Sequence, residues 1–176
     1  IHSLADAQGM RIRTLNNPYQ ILFWESIGFQ PSYLDFSDLY MALYRGEFEA
    51  QENPLSAIER NRFYEVQKYV IFTHHTVIDN MFVMNKSQYD ALTEEQQDLL
   101  ARYFEEVKRA LIEQTPSDDE RLKRILEESG GMEMIYPDEA FMAEFRQGTQ
   151  VVLDALRQDL GAETVDQFLA ALTEVS

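Results

Sequence analysis

The sequence predicts an α/β protein, and three observations carry that reading. Short extended runs and short helical runs alternate from residue 10 to residue 51 with only a few residues between them, the order that yields a parallel or mixed sheet covered by helices. Apolar residues make up 45% and charged residues 26% of the 176, a balance that supports a packed core and fits one domain, or one domain with a substantial appendage. From Thr93 onward the apolar residues take up the helical period, so the second half reads as mainly helical.

The elements follow in order. A turn signal at Asp6-Ala7-Gln8-Gly9 leads into a strand at Met10 to Thr14, where apolar and basic residues alternate. Pro18 opens a helix carrying Ile21, Leu22, Trp24 and Ile27, and Gly28 stops it. Pro31 to Leu34 is a second strand, Ser37 and Asp38 begin a helix ending at Gly46, and Glu47 to Gln51 forms a third strand. Pro54 starts a helix to about Phe63 with Asn53 as its N-cap, and two stretches rich in Val, Ile, Phe and Tyr, Gln67 to Phe72 and Val77 to Met84, read as further strands. Thr93-Glu94-Glu95-Gln96 is a capping box for a helix whose Leu99, Leu100, Tyr103, Phe104, Val107 and Leu111 trace one apolar face, read as core. Pro116 should kink or break it before Gly130-Gly131. Met132 to Ile135 is one more strand, Pro137-Asp138-Glu139 opens a long helix, and Gly161 separates it from a last amphipathic segment with Val165, Phe168, Leu169 and Leu172.

Charge and composition exclude several function classes. Thirty-one acidic against 15 basic residues give a net charge of −16, which repels phosphate backbones, so nucleic acid is not an expected partner. Without cysteine there is no disulfide, thiolate nucleophile or Cys-ligated metal. No window approaches the roughly 18 uninterrupted apolar residues of a membrane span, and residues 1 to 15 lack the pattern of a signal peptide. The opening without Met reads as the start of a mature or partial chain.

The residues that could carry chemistry are few. Arg11 and Arg13, two apart on a strand, leave the same face, either as a solvated basic edge or with one of them holding an anion at the carboxyl end of the sheet, where α/β proteins bind ligands. Gln51-Glu52-Asn53-Pro54 lies between a strand end and a helix, where Asn53 serves as a cap or meets an anion. Phe36, between the second strand and its helix, closes the core or packs on a ligand plane. His74-His75 with Asp79 has the residue types of a metal site, but adjacent strand residues point to opposite faces, so no metal is expected. There is no Ser-His-Asp spacing, phosphate-cradling Gly loop or HExxH helix, and no cofactor is implied, so an enzyme is not the favoured reading.

Four motifs in order, Gly9-Met10-Arg11-Ile12-Arg13, Phe36-Ser37-Asp38-Leu39-Tyr40, Gln51-Glu52-Asn53-Pro54-Leu55 and Phe63-Tyr64-Glu65-Val66-Gln67-Lys68-Tyr69, give the chain a family likeness. From residue 3 to roughly 130 it resembles the periplasmic solute-binding subunits of tripartite ATP-independent periplasmic (TRAP) transporters, the DctP-like family. The resemblance implies two α/β lobes, each a mixed sheet flanked by helices, that close on a small organic acid and deliver it to a membrane permease in the bacterial periplasm, without catalysis. It places the ligand carboxylate on Arg13, with Asn53 beside it, Phe36 packed on the ligand, Asn16 as a further polar contact, and His75 and Asp79 bordering the cleft. Glu49-Ala50 and Leu15 depart from the Asp-Gly and Pro that many relatives carry there, so local loop geometry is expected to differ.

Relatives run near 300 residues, so the chain reads as the C-terminal portion. Residues 1–92 would be the second α/β lobe, and residues 93–176 a long, kinked helix spanning both lobes plus helices that pack on an absent first lobe. Apolar surface bared in this way makes a dimer or an exchange of elements an expected consequence. The alternative function is an extracytoplasmic sensor or docking module that uses the same lobe without transport.

Overall fold

The computed structural model describes residues 3–77, 81–128 and 131–175. Strand β1 (Arg11–Thr14) is the middle of a three-stranded sheet, with β2 (Gln30–Tyr33) on one side and β3 (Ala50–Gln51) on the other. Both pairings are parallel, with Arg13 opposite Ser32 and Gln51. Parallel strands need a crossover, and two helices supply it: α1 (Pro18–Ser26) returns β1 to β2, and α2 (Leu39–Tyr44) carries β2 to β3. Because β2 and β3 flank β1 on opposite sides and such crossovers are right-handed, α1 and α2 cover opposite faces. A second parallel pair joins β4 (Tyr69–Ile71) to β5 (Glu133–Ile135). Every described pairing is therefore parallel, one of the two arrangements the element order allowed, where the family resemblance implied a mixed sheet.

The local signals explain most boundaries. Asn17 caps α1 by accepting from the Tyr19 and Gln20 amides, with Pro18 at the first helical position. The chain leaves α1 through Gly28 at φ +96, where a Cβ would fall 2.1 Å from the Gln8 side chain, so only glycine serves both the turn and the contact. The next helices are α3 (Leu55–Arg60), α4 (Lys86–Asp90) and α5 (Glu94–Glu128). The Thr93–Gln96 box forms reciprocally ahead of α5, at 2.9 and 3.3 Å. Asp138 caps α6 (Glu139–Leu160) through the Phe141 amide at 2.8 Å, and α7 (Ala162–Val175) follows Gly161.

Two apolar cores result. One gathers Trp24, Ile27, Ile12 and Leu4 with Phe141 and Phe145 of α6; the other gathers Leu39, Leu43, Ile58, Phe63 and Val70 with Leu126 of α5 and Met132. The two long helices α5 and α6 thus return to the sheet region and complete both cores. The α1–α6 contact is close: a Cβ on Gly148 would lie 2.8 Å from Ile27 Cγ2.

Four expectations need correction. The described part of Val77–Met84, residues 77 and 81–84, forms no strand: no neighbouring strand supplies its hydrogen bonds, and Val77, Met81 and Val83 are more than 80% exposed. Pro116 does not break α5, which runs 35 residues through it. Thr115, just before it, turns its hydroxyl back to the Leu111 carbonyl at 2.7 Å within the helix. The apolar stripe of α5 is not core along its N-terminal half, since Leu99, Tyr103 and Leu111 stand more than half exposed. Asn53 does not cap α3; Pro54, in an extended conformation, holds that position, and the Asn53 amide donates to Gln51 Oε1 at 2.5 Å.

Candidate functional site

The strand order 2-1-3 reverses at β1, and in open parallel sheets ligands bind outside the carboxyl ends of the strands at such a reversal. Arg13 lies at that end of β1, directly beside Gln51 at the end of β3. It is only 2% exposed, whereas Arg11 stands half-exposed at the near end of the strand, paired with Glu49 and donating to the Gly46 carbonyl at 2.8 Å. The two arginines share a strand but not an environment.

Burying a guanidinium is costly unless its donors and charge are matched. Arg13 Nε donates to the Leu34 carbonyl at 2.8 Å, just past β2, which fixes the plane of the group. The Phe36 ring lies 5.7 Å from the guanidinium carbon and is itself held edge-on against Phe63. Burial lowers the pKa of Arg13, and the negative charge of Glu52, then Tyr33 and Asp35, opposes that. A guanidinium stays protonated in such surroundings. Among the described residues neither Nη group of Arg13 donates a hydrogen bond, so its fork is the unused part of a rigidly held cation.

Glu52 follows β3 with its side chain 8% exposed, and burial raises its pKa while Arg13 pulls it down. Its Oε2 lies 3.8 Å from His75 Nε2. The His75 ring is 19% exposed, although the residue as a whole is open because its main chain faces solvent. Phe23 stacks parallel to the ring at 6.1 Å, while Trp24 and Phe145 meet it edge-on at 5.1 and 6.0 Å. Thr73 Oγ1 sits 2.7 Å from Nδ1. Burial, with a smaller contribution from His74, lowers the pKa of His75 to about 4, so it is neutral at pH 7 and its contact with Glu52 is not an ion pair.

Of the residues singled out from sequence, Arg13, Phe36 and His75 come to this rim, and Asn53 lies half-buried two residues beyond the strand partner of Arg13. Asn16 is exposed beyond β1, and Asp79 lies outside the described residues. His74 turns its ring onto Phe72 at 6.1 Å, away from the surroundings of His75. Among the described residues no group of three or more His, Cys, Asp or Glu could hold a metal ion. Sequence reasoning missed Glu52: it stood inside a motif already noted, and what could have marked it was a carboxylate directly after a buried cation's strand partner. No helix among the described residues is long and apolar enough to cross a membrane.

A buried arginine with a free fork thus lies at the reversal of a parallel sheet, where open α/β sheets take up their ligands. Residues 1–159 match the bacterial extracellular solute-binding proteins, family 7, and the chain belongs to this DctP family. The proteins it is similar to are solute-binding proteins, several of them of TRAP systems. The chain is 28% identical over 170 residues to the sialic acid-binding periplasmic protein SiaP of Vibrio cholerae, covering 97% of itself and 52% of that relative. It superposes with TM-score 0.87 on the periplasmic ectoine-binding protein of the TeaABC TRAP transporter of Halomonas elongata, at 26% identity, over 99% of this chain and 58% of the other. The same score relates it to a TRAP periplasmic solute-binding protein from Desulfovibrio salexigens with bound orotic acid, a likeness of fold at 24% identity, over 99% of this chain and 56% of that one. The chain thus spans about half the length of the relatives it matches.

Proposed function

We propose that the chain is the C-terminal portion of an extracytoplasmic solute-binding subunit of a TRAP transporter. It captures a small organic acid on the Arg13 fork and delivers it to a membrane permease in the bacterial periplasm. The observation that carries the reading is Arg13 itself: buried, oriented by Leu34 and Phe36, and with both Nη groups unused by the described protein. A bidentate carboxylate suits that planar fork. Sialic acid and orotic acid, named for the relatives above, are carboxylic acids, as is ectoine.

In this reading Phe36 packs on the ligand, Asn53 shares its carboxylate, and Asn16, His75 and Asp79 line the cleft. Residues 1–92 form the second lobe, residues 93–176 carry a helix that spans to a first lobe, and the exposed stripe of α5 is covered by that lobe. Without it, the bared stripe favours a dimer or an exchange of elements.

The test is binding followed by transport. Full-length protein is screened by thermal shift against sialic acid, orotate, galacturonate, succinate and ectoine, where a ligand at about 100 times its Kd adds roughly 2.7 kcal/mol of stability. Uptake of the binding acid by vesicles holding the cognate permease is the expected second result. Binding without any uptake overturns transport in favour of a sensor or docking module, and consumption of the acid on incubation overturns the binding-protein reading itself.

A further inference from the structure

Carboxylate capture at Arg13 leaves one charge unexplained, because the buried carboxylate of Glu52 already acts on the cation that the ligand is to occupy. Arg13 is the cation that acts on Glu52 in the free protein, and Glu52, Tyr33 and Asp35 are the groups whose charge acts on Arg13. His75 faces Glu52 from the loop after β4, with His74 as its charged-when-protonated neighbour. The other groups packed on the imidazole are uncharged: the Thr73 hydroxyl at Nδ1, and the rings of Phe23 and Trp24 from α1 and Phe145 from α6, which keep water away. The 3.8 Å between Glu52 Oε2 and His75 Nε2 is longer than a hydrogen bond, and both side chains are largely buried.

A bound carboxylate changes this balance. It brings a second negative charge to a guanidinium that already compensates Glu52, and two carboxylates close together in a dry site cannot both keep their charge cheaply. We propose that capture of a carboxylate at Arg13 takes up one proton from solvent, held between Glu52 and His75. The proton turns their 3.8 Å contact into a charge-assisted hydrogen bond and restores one positive charge for each negative one. Binding then strengthens as pH falls, because the occupied site holds a proton that the free site does not.

This inference rests on the reading of Arg13 as the carboxylate anchor, and the experiment separates the two. Titration calorimetry on the full-length protein uses sialic acid, orotate and galacturonate, acids ionised above pH 5, in two buffers of different ionisation enthalpy. Proton uptake of roughly half to one per bound acid at about pH 5.5 is expected, with affinity about tenfold tighter at pH 5 than at pH 7.5. Glu52→Gln should bind but lose the uptake and the pH slope, and Glu52→Met, an apolar residue of similar size, provides the same test if Glu52→Gln does not fold. Binding with no proton exchange between pH 5 and 8, or exchange undiminished in the variants, overturns the proton linkage and leaves the anchor intact. Failure of all three acids to bind overturns the anchor, and the linkage with it.

Discussion

The two halves of helix α5 carry the same apolar period and meet opposite fates. Toward its C-terminus Leu122 and Leu126 are buried, Leu126 completely and in the core built by α2, α3 and β4. Toward its N-terminus Leu99, Tyr103, Leu111 and Ile112 are more than half exposed. A helical stripe declares that a face is to be covered; what covers it is written elsewhere, in this chain for the second half and, on the present account, in the first lobe for the other.

Truncation should break that symmetry most visibly. Leu126→Ala removes a fully buried side chain and should cost about 2–5 kcal/mol, measured by urea denaturation. A cost under about 1 kcal/mol would mean that this half of α5 is not seated in the core. Next comes α6, seated as closely on α1 as α5 is on the second core: Gly148→Ala places a methyl 2.8 Å from Ile27 Cγ2 and should cost about 1–3 kcal/mol. An unchanged denaturation midpoint would show that the two helices separate freely.

These contrasts also show what was legible in the sequence. The β-α-β-α-β order, the helix starts at Pro18 and at Pro137-Asp138-Glu139 and the Thr93–Gln96 box depend on residues within a few positions of one another, and spacing reports such contacts directly. Val77–Met84 had the composition of a strand, but a strand is made by its neighbour, and composition does not supply one. Asn53 looked like a cap because Asn favours caps, yet Pro54 is as well suited to start α3 and leaves the Asn side chain to Gln51. Arg13 was singled out from motif and strand position, while its separation from Arg11 depends on Leu34, Phe36 and Glu52, brought together only by the sheet. The aromatic surround of His75 joins α1, α6 and the loop after β4, a juxtaposition with no local signature.

That surround has a pH signature of intermediate size. His75 stays neutral in the folded protein down to about pH 4, while the unfolded chain takes up its proton near the ordinary histidine value of about 6.5. Between those limits the unfolded state binds more protons, so His75 withdraws stability as pH falls through this window, by up to about 1.4 kcal/mol per unit. Comparing denaturation of the parent and His75→Gln from pH 7 to 4 should show the flatter profile in the variant; parallel profiles would place the imidazole in water.

The smallest effect sharpens the comparison most. Leu111→Gln should change the stability of this chain by no more than about 0.5 kcal/mol, since the side chain is 54% exposed. In the full-length protein the same change should cost about 1–3 kcal/mol if the first lobe covers the stripe. Equal small effects in both would leave the stripe uncovered and refute the two-lobe arrangement.

Arg13, and not its neighbour Arg11, is the residue proposed to hold the ligand. The most direct measurement is calorimetric binding of whichever acid stabilises the full-length protein, repeated with Arg13→Ala and Arg11→Ala. Leaving a buried carboxylate without its cation costs about 3–5 kcal/mol, so Arg13→Ala should weaken binding by at least about a hundredfold, whereas Arg11→Ala, at an exposed pair with Glu49, should leave it within about threefold. Equal affinities for Arg13→Ala and the parent, with the variant folded, would contradict the account.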